Sequence, residues 1–421
     1  MPYLILSVFA LAPAYVLRFS LGPLPANLPM VWVFFVWLAF ACWLWQKQLW
    51  PEFVSFIKNS EKKLLVLVAL FSASGIIALF IHGFSRAKLG QFTVLFLQPI
   101  SVFFISRYLI AKFPKTRRLL LVTCYSLLAA AGLYAAIQYF SLFGLPVQYW
   151  GNSVEPKRAV SFFTHPNFYA LWSAPLLAFL IPDLRLKIED VRKNWHFILG
   201  WVIGSLGLLL SFSRAGWLSL FAAAAVYLIV AADNKVRKIF FAAAAAAILV
   251  AVATPNLRYR LLLPFYGEKS AVSRLSLWET GWKGTKESPI FGLGLTGFAQ
   301  NWQRLNTDPG LAADSHNFPH NIFLNFWTET GILGLLSFMG LVGLYIFRGL
   351  RRGVIPSLAE GSLNSPIADK EFLTSDVFAR NGIFKLSIAL FLVALLTQGL
   401  IDNPYFKNDL AMVFWIILSL I

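Results

Sequence analysis

Apolar runs of about 17–25 residues recur along the whole chain, a length that spans about 30 Å of hydrocarbon as helix. The pattern predicts about twelve membrane helices, near residues 3–21, 28–46, 64–82, 92–111, 119–143, 165–182, 196–213, 215–232, 238–254, 320–347, 383–402 and 409–421. The seventh and eighth are divided only by the turn Ser211-Phe212-Ser213-Arg214. One stretch departs from the pattern: residues 255–319 are mixed and charged, and end in His316-Asn317-Phe318-Pro319-His320-Asn321. The expected fold is an all-α polytopic membrane protein with a large loop between helices 9 and 10. Its parts are helices 1–9 over residues 1–254, the loop over 255–319, and helices 10–12 over 320–421. The connection near 349–382, with Pro356 and Pro366, reads as a tether. A membrane β-barrel would instead show weakly alternating segments of about ten residues. No basic segment precedes the first apolar run, which is therefore read as a membrane helix and not a cleaved signal.

Composition sharpens this picture. The 421 residues are 58% apolar and 13% charged, against roughly 45–50% and about 25% in soluble domains. The net charge of +17 could suggest nucleic acid, but its distribution excludes that reading. Of 36 lysines and arginines, 22 sit in alternate connections, such as Lys47, Lys58, Lys62 and Lys63, or Arg107, Lys112, Lys115, Arg117 and Arg118. The positive-inside rule places those connections and both termini in the cytoplasm. The 255–319 loop then faces outward. Cys42 and Cys124 both fall in predicted spans and read as small packing residues. No cysteine lies in an outward connection, so no disulfide framework is expected there.

Within the loop, Ser273 to Ser288 reads as a helix with Ser273 as N-cap and Leu275, Trp278 and Trp282 on one face. That face suits either the bundle mouth and headgroup region or packing within the loop. Gly292-Leu293-Gly294-Leu295-Thr296-Gly297 matches G-x-G-x-x-G, but it lacks the preceding buried strand that dinucleotide binding requires. It reads as a flexible glycine turn.

The candidate chemistry gathers on the outward side. Arg214 is the sole charge between His196 and Ala232, and a charge in a membrane segment normally has a partner or a polar cavity, or snorkels to the headgroups. Arg158 stands in Lys157-Arg158-Ala159-Val160, shortly before His165-Pro166-Asn167, and Arg274 begins the loop helix. Arginines converging at one mouth would make a socket for a diphosphate, because the guanidinium fork matches phosphate oxygens. His82, His165, His316 and His320 all map to the outward face. Imidazole titrates near neutrality and suits a general base. His320, at the start of a span, can meet both aqueous and membrane-embedded reactants. His316 and His320 share the spacing of a zinc pair, but no Glu follows His316, Pro319 interrupts the helix and no second cluster supplies ligands. No metal and no cofactor is expected.

Three segments resemble the O-antigen ligase and polymerase superfamily of bacterial membrane glycosyltransferases. They are Ser213-Arg214-Ala215-Gly216; Ser273-Arg274 to Trp278 with Pro289 to Phe298; and Pro319-His320-Asn321 running through Gly331-Ile332-Leu333-Gly334. The resemblance implies transfer of a glycan from a polyprenyl diphosphate carrier to an acceptor hydroxyl, with inversion, on the outer face of the bacterial cytoplasmic membrane. By it, Arg214 and Arg274 would hold the diphosphate, and His320 would activate the acceptor hydroxyl. Asp402 resembles a family acidic position, and Arg158, His165, His316 and Asn321 are candidates for substrate contact. The acceptor would be a glycan, lipid or protein. The alternative is a transporter or a flippase for lipid-linked glycans, which would place broken helices and charges near mid-membrane.

Overall fold

The computed structural model describes residues 1–21, 24–152, 155–189, 191–231, 234–262, 269–307, 317–351 and 371–421. Helix dominates. It begins with α1 (Pro2–Leu11), a 3₁₀ turn (Ala12–Val16) and a hairpin of β1 (Arg18–Leu21) and β2 (Leu24–Asn27), the only sheet among the described residues. Here the structure corrects the sequence reading, which took 3–21 as one helix. Pro13 withdraws a helical donor, and Pro25 in β2 cannot sit in a helix interior. Asn27 then caps α2 (Leu28–Gln46), its side chain accepting from the Met30 N–H at 3.0 Å.

There follow α3 (Trp50–Lys58), α4 (Lys62–Phe80) and α5 (Arg86–Lys112), the last with a π-turn at Thr93–Leu97. Next come α6 (Lys115–Ser141), α7 (Pro166–Glu189), α8 (Val191–Leu210), α9 (Arg214–Ala231) and α10 (Asn234–Ala253). The charged stretch holds α11 (Pro255–Leu262), α12 (Lys269–Glu287) and α13 (Gly297–Leu305). The chain ends with α14 (Ile322–Leu350), α15 (Glu371–Gly399) and α16 (Asn408–Leu418). Every predicted apolar run after the first coincides with a helix. Among the described residues seven helices are long and apolar enough to cross a membrane, and Pro2–Val16 and Asp409–Leu418 are shorter apolar helices. Phe34, Phe140 and Phe347 stand exposed on these helices, as side chains facing lipid would. Cys124 is buried as expected, but Cys42 is exposed and does not pack inside.

Two further corrections concern boundaries. Ser273 is not an N-cap: α12 begins at Lys269, because Ser270, Ala271 and Val272 extend the helix backwards without a breaker. Its buried positions are Leu277, Thr280, Gly281, Gly284 and Thr285, while Leu275 and Trp282 are exposed. In the 349–382 connection, residues 352–370 lie outside the described ones, and α15 already begins at Glu371.

The described chain forms two units. The first comprises residues 1–123, 272–343 and 399–420, and the second comprises 124–271, 344–398 and 421. The first is built on an aromatic core. Phe71 packs on Phe96 at 4.8 Å, and Phe326 on Phe338 at 4.2 Å and on Tyr405 at 5.3 Å. The Tyr405 hydroxyl donates to the Leu95 carbonyl at 2.6 Å and accepts from Trp415 Nε1 at 3.0 Å. Buried aromatics whose polar tips are satisfied make rigid anchors. Here they fix the start of α14 and the 402–406 segment. The second unit packs on small residues. A Cβ at Gly207 would lie 2.2 Å from the Tyr169 hydroxyl and 2.6 Å from Gly132 Cα, so α6 and α8 meet backbone to backbone and the Tyr169 side chain of α7 fits against them. Ala178 and Ala223 belong to its apolar core with Leu228, Leu386 and Leu390.

Candidate active site

In the first unit four candidates come together: Arg274, His320, Asn321 and Asp402. Asn321 caps α14, its Oδ1 accepting from the Phe323 and Leu324 N–H groups, both at 3.0 Å, and its Nδ2 donates to the Leu400 carbonyl at 3.0 Å. This cap ties the start of α14 to the end of α15 and puts His320 against the residues that follow α15. There His320 Nδ1 lies 3.0 Å from Asp402 Oδ1. The Asp402 carboxylate also accepts from the Asn403 N–H at 2.9 Å. Arg274, on α12, donates from Nε to the Ile401 carbonyl at 3.0 Å. Trp278, one turn further along α12, donates to the His320 carbonyl at 3.2 Å.

The electrostatics favour an ionised Asp402. Burial alone would raise its pKa, but the hydrogen bond from His320 and the charges of His320 and Arg274 outweigh it, and the carboxyl titrates below its usual range. A carboxylate at Nδ1 keeps the imidazole proton there and leaves Nε2 to accept another. The exposures match: the Asp402 side chain is 7% exposed and that of His320 34%, so an orienting acid lies beneath an accessible base. His320 also holds a left-handed backbone, φ 48°. For a residue other than glycine this costs of order 1–3 kcal/mol and persists where the surroundings enforce it.

The G-x-G-x-x-G stretch is a turn, as read, but a pinned one. Gly292 and Gly294 have φ of 72° and 82°. The Leu293 N–H donates to the Thr328 carbonyl at 2.6 Å, and the Leu295 N–H to the Ala78 carbonyl at 3.0 Å. Gly331 breaks α14 with φ 68° and ψ −173°, and the Ile332 N–H reaches out to the Pro289 carbonyl at 3.1 Å. A Cβ on Gly331 would lie 2.0 Å from the Ile290 carbonyl oxygen. Gly331 of the Gly331-x-x-Gly334 signature is thus the imprint of the 289–292 backbone entering a helix break, while Gly334 makes room for the Thr330 and Ser74 side chains.

In the second unit, Arg158 donates from Nε to the Ser211 carbonyl at 3.1 Å and from Nη2 to Asn167 Oδ1 at 2.8 Å. The Ala159 N–H donates to the Leu210 carbonyl at 2.9 Å. Residues 158–159 are therefore laced to the turn that joins α8 to α9, and Arg214 opens α9. His165 caps α7 with its side chain, Nδ1 accepting from the Asn167 N–H at 3.0 Å. His316 lies outside the described residues.

Sequence reading missed one buried pair. Lys88 is 2% exposed and donates to the Ile81 and Gly83 carbonyls, the latter at 2.9 Å. It lies within electrostatic reach of Glu329, which is fully buried in α14. The signal was present: a lone carboxylate within an apolar span is costly and asks for a partner. Asn167 and Trp278, which brace Arg158 and His320, carried no such signal.

No curated protein matches the chain. Residues 199–339, about a third of the chain, match the family model described as O-antigen ligase. The matched stretch contains Arg214, Arg274, His320 and Gly331, while Arg158, His165 and Asp402 lie outside it. Over that stretch this membrane protein is similar to the O-antigen ligase family.

Proposed function

We propose that this protein transfers a glycan from a polyprenyl diphosphate carrier to an acceptor hydroxyl at the outer face of the bacterial cytoplasmic membrane. The observation that carries the reading is the His320–Asp402 pair with Arg274 beside it, within the unit that holds most of the matched motifs. His320 Nε2 takes the proton of the acceptor hydroxyl as its oxygen attacks the anomeric carbon. The bond from that carbon to the phosphate oxygen breaks, and the diphosphate leaves with the electron pair. Asp402 holds the Nδ1 proton and balances the imidazolium that forms. Attack opposite the leaving group inverts the anomeric centre.

Negative charge grows on the diphosphate as that bond breaks, so fixed cations stabilise the transition state more than the ground state. Arg274 takes that role, and Arg214 shares it on the strength of the family pattern. Arginine supplies this charge at any physiological pH, and the reaction is proposed to need no metal. The acceptor is a growing polysaccharide, a lipid core or a protein hydroxyl.

The test uses purified protein in detergent with a polyprenyl-diphosphate oligosaccharide, EDTA and a panel of the three acceptor classes. Transfer is expected to persist in EDTA and to fall about 10²–10⁴-fold in His320→Ala. Absence of transfer to every acceptor by folded, donor-bound protein overturns the reading in favour of transport.

A further inference from the structure

At the end of the first unit away from the pinned glycine turn lies a cavity of about 540 Å³, within the range of sites for small ligands, about 300–1,000 Å³. It sits where α3 ends, α4 begins and α5 ends. The 19 residues of α4 correspond to about 28 Å of rise, close to the hydrocarbon thickness. The cavity is therefore about one bilayer core away from Ala78 and the glycine turn, at the opposite headgroup layer. Its outer wall is α3, which buries none of its residues and exposes Trp50 and Val54, as a helix lying in that layer does. Phe53 and Phe56 hold this wall against α5, their rings 5.2 and 5.5 Å from that of Tyr108.

Both carboxylates of the lining are already engaged. Glu52 pairs with Lys112 at 2.8 Å and accepts from the Tyr108 hydroxyl at 2.9 Å, and Glu61 has a partner of its own. Arg107 differs. Its guanidinium lies over the Phe103 ring at 5.5 Å, and its Nη1 is buried with no acceptor among the described residues. A buried charged donor left without an acceptor is costly, and a guanidinium fork matches phosphate oxygens. In the same lining the Ser55 hydroxyl accepts from Asn59 Nδ2 at 3.2 Å and keeps its own proton to donate. Lys58, Lys62, Lys63 and Lys115 stand exposed at this end of the unit, so the field around the cavity is positive.

We propose that this cavity binds the headgroup of an anionic phospholipid, of the phosphatidylglycerol class, from the leaflet at the lysine-rich end. One phosphodiester oxygen accepts from Arg107 Nη1 and the other from the Ser55 hydroxyl. The exposed lysines draw the negative lipid to the mouth, as basic pockets among membrane helices do. A zwitterionic headgroup brings the same phosphate, but its ammonium meets the positive field and it binds more weakly. The site is independent of the glycosyl-transfer reading.

The test is native mass spectrometry of the purified full chain in detergent, titrated with phosphatidylglycerol, phosphatidylethanolamine of the same acyl chains, soluble glycerol phosphate or inorganic phosphate. One phosphatidylglycerol per chain is expected, held about tenfold or more tightly than phosphatidylethanolamine. Arg107→Met is expected to weaken it about tenfold or more, the loss of one charge-assisted hydrogen bond. Ser55 is exposed, so Ser55→Ala is expected to melt at the wild-type temperature without lipid and to weaken binding about fivefold. Replacing Lys62 and Lys63 together by Gln, also at exposed positions, is expected to weaken phosphatidylglycerol about tenfold and leave phosphatidylethanolamine nearly unchanged. Equal affinity for the two lipids, or phosphatidylglycerol binding unchanged by Ser55→Ala, overturns the proposal. Glycerol phosphate or inorganic phosphate held as tightly as the lipid overturns the lipid assignment.

Discussion

At the scale of single residues, the arrangement around His320 makes Asp402 the group with the sharpest consequences. Asp402→Asn keeps an oxygen for Nδ1 but removes the charge that balances an imidazolium. Partners that orient and polarise a working group are typically worth 10–100-fold, and glycan transfer in Asp402→Asn is expected to fall by about that factor, with the apparent KM for the donor little changed. Stability carries a second signature. Because the folded-state pKa of Asp402 is held below its ordinary value, its contribution is present at neutral pH and is lost as pH falls below about 4. The wild-type melting temperature should therefore approach that of Asp402→Asn in acid, and a gap that stays constant down to pH 3 would contradict the pairing. His320 and Asp402 were legible as residue types at the ends of spans, and Arg274 at the start of the loop helix. Their meeting was not: His320 and Asp402 are 82 positions apart, and no local pattern encodes that distance.

At the scale of elements, the break in α14 explains why a motif reads as it does. Gly331 needs both a left-handed φ, worth about 1–2 kcal/mol against any other residue, and room for the Ile290 carbonyl at the place of a Cβ. Gly331→Ala is expected to lower the melting temperature sharply and to displace the 289–292 backbone. Gly343, in the same helix, has nothing within 4 Å of its missing Cβ, so Gly343→Ala should be neutral or stabilising by about 0.5–1 kcal/mol. Thermal unfolding of the two variants side by side separates this account from a general intolerance of α14 to substitution. The buried Lys88 lies within electrostatic reach of the buried Glu329 in the same region, and removing a counter-charge leaves a buried charge less compensated. Lys88→Met should therefore destabilise more alone than in combination with Glu329→Gln. Helix existence and type were legible here, since period and length leave little choice over long apolar runs. The start of α12 was not, because Ser273 is an acceptable cap on paper while nothing at Lys269–Val272 stops the helix from beginning earlier.

For the whole molecule the central expectation is orientation, and the first unit turns it into a measurable contrast. The apolar runs establish a membrane protein, but which side each end faces rests on the asymmetry of lysine and arginine, a property of insertion that leaves no mark on packing. Lys58 and Gln303 are both exposed. Lys58 precedes the start of α4, and Gln303 lies on α13, in the segment whose glycine turn is bonded to Ala78 near the other end of that helix. If the lysine-rich end is cytoplasmic, Gln303→Cys should react with a membrane-impermeant maleimide in intact spheroplasts, and Lys58→Cys only after permeabilisation. Both substitutions belong in a background in which Cys42 and Cys124 are replaced. Inverted labelling would put the His320–Asp402 pair on the cytoplasmic side, where nucleotide sugars abound, and would remove the reason to invoke a lipid-linked donor. The expected labelling leaves that donor as the source of activated sugar consistent with the site, because no nucleotide sugar is supplied on the outer face.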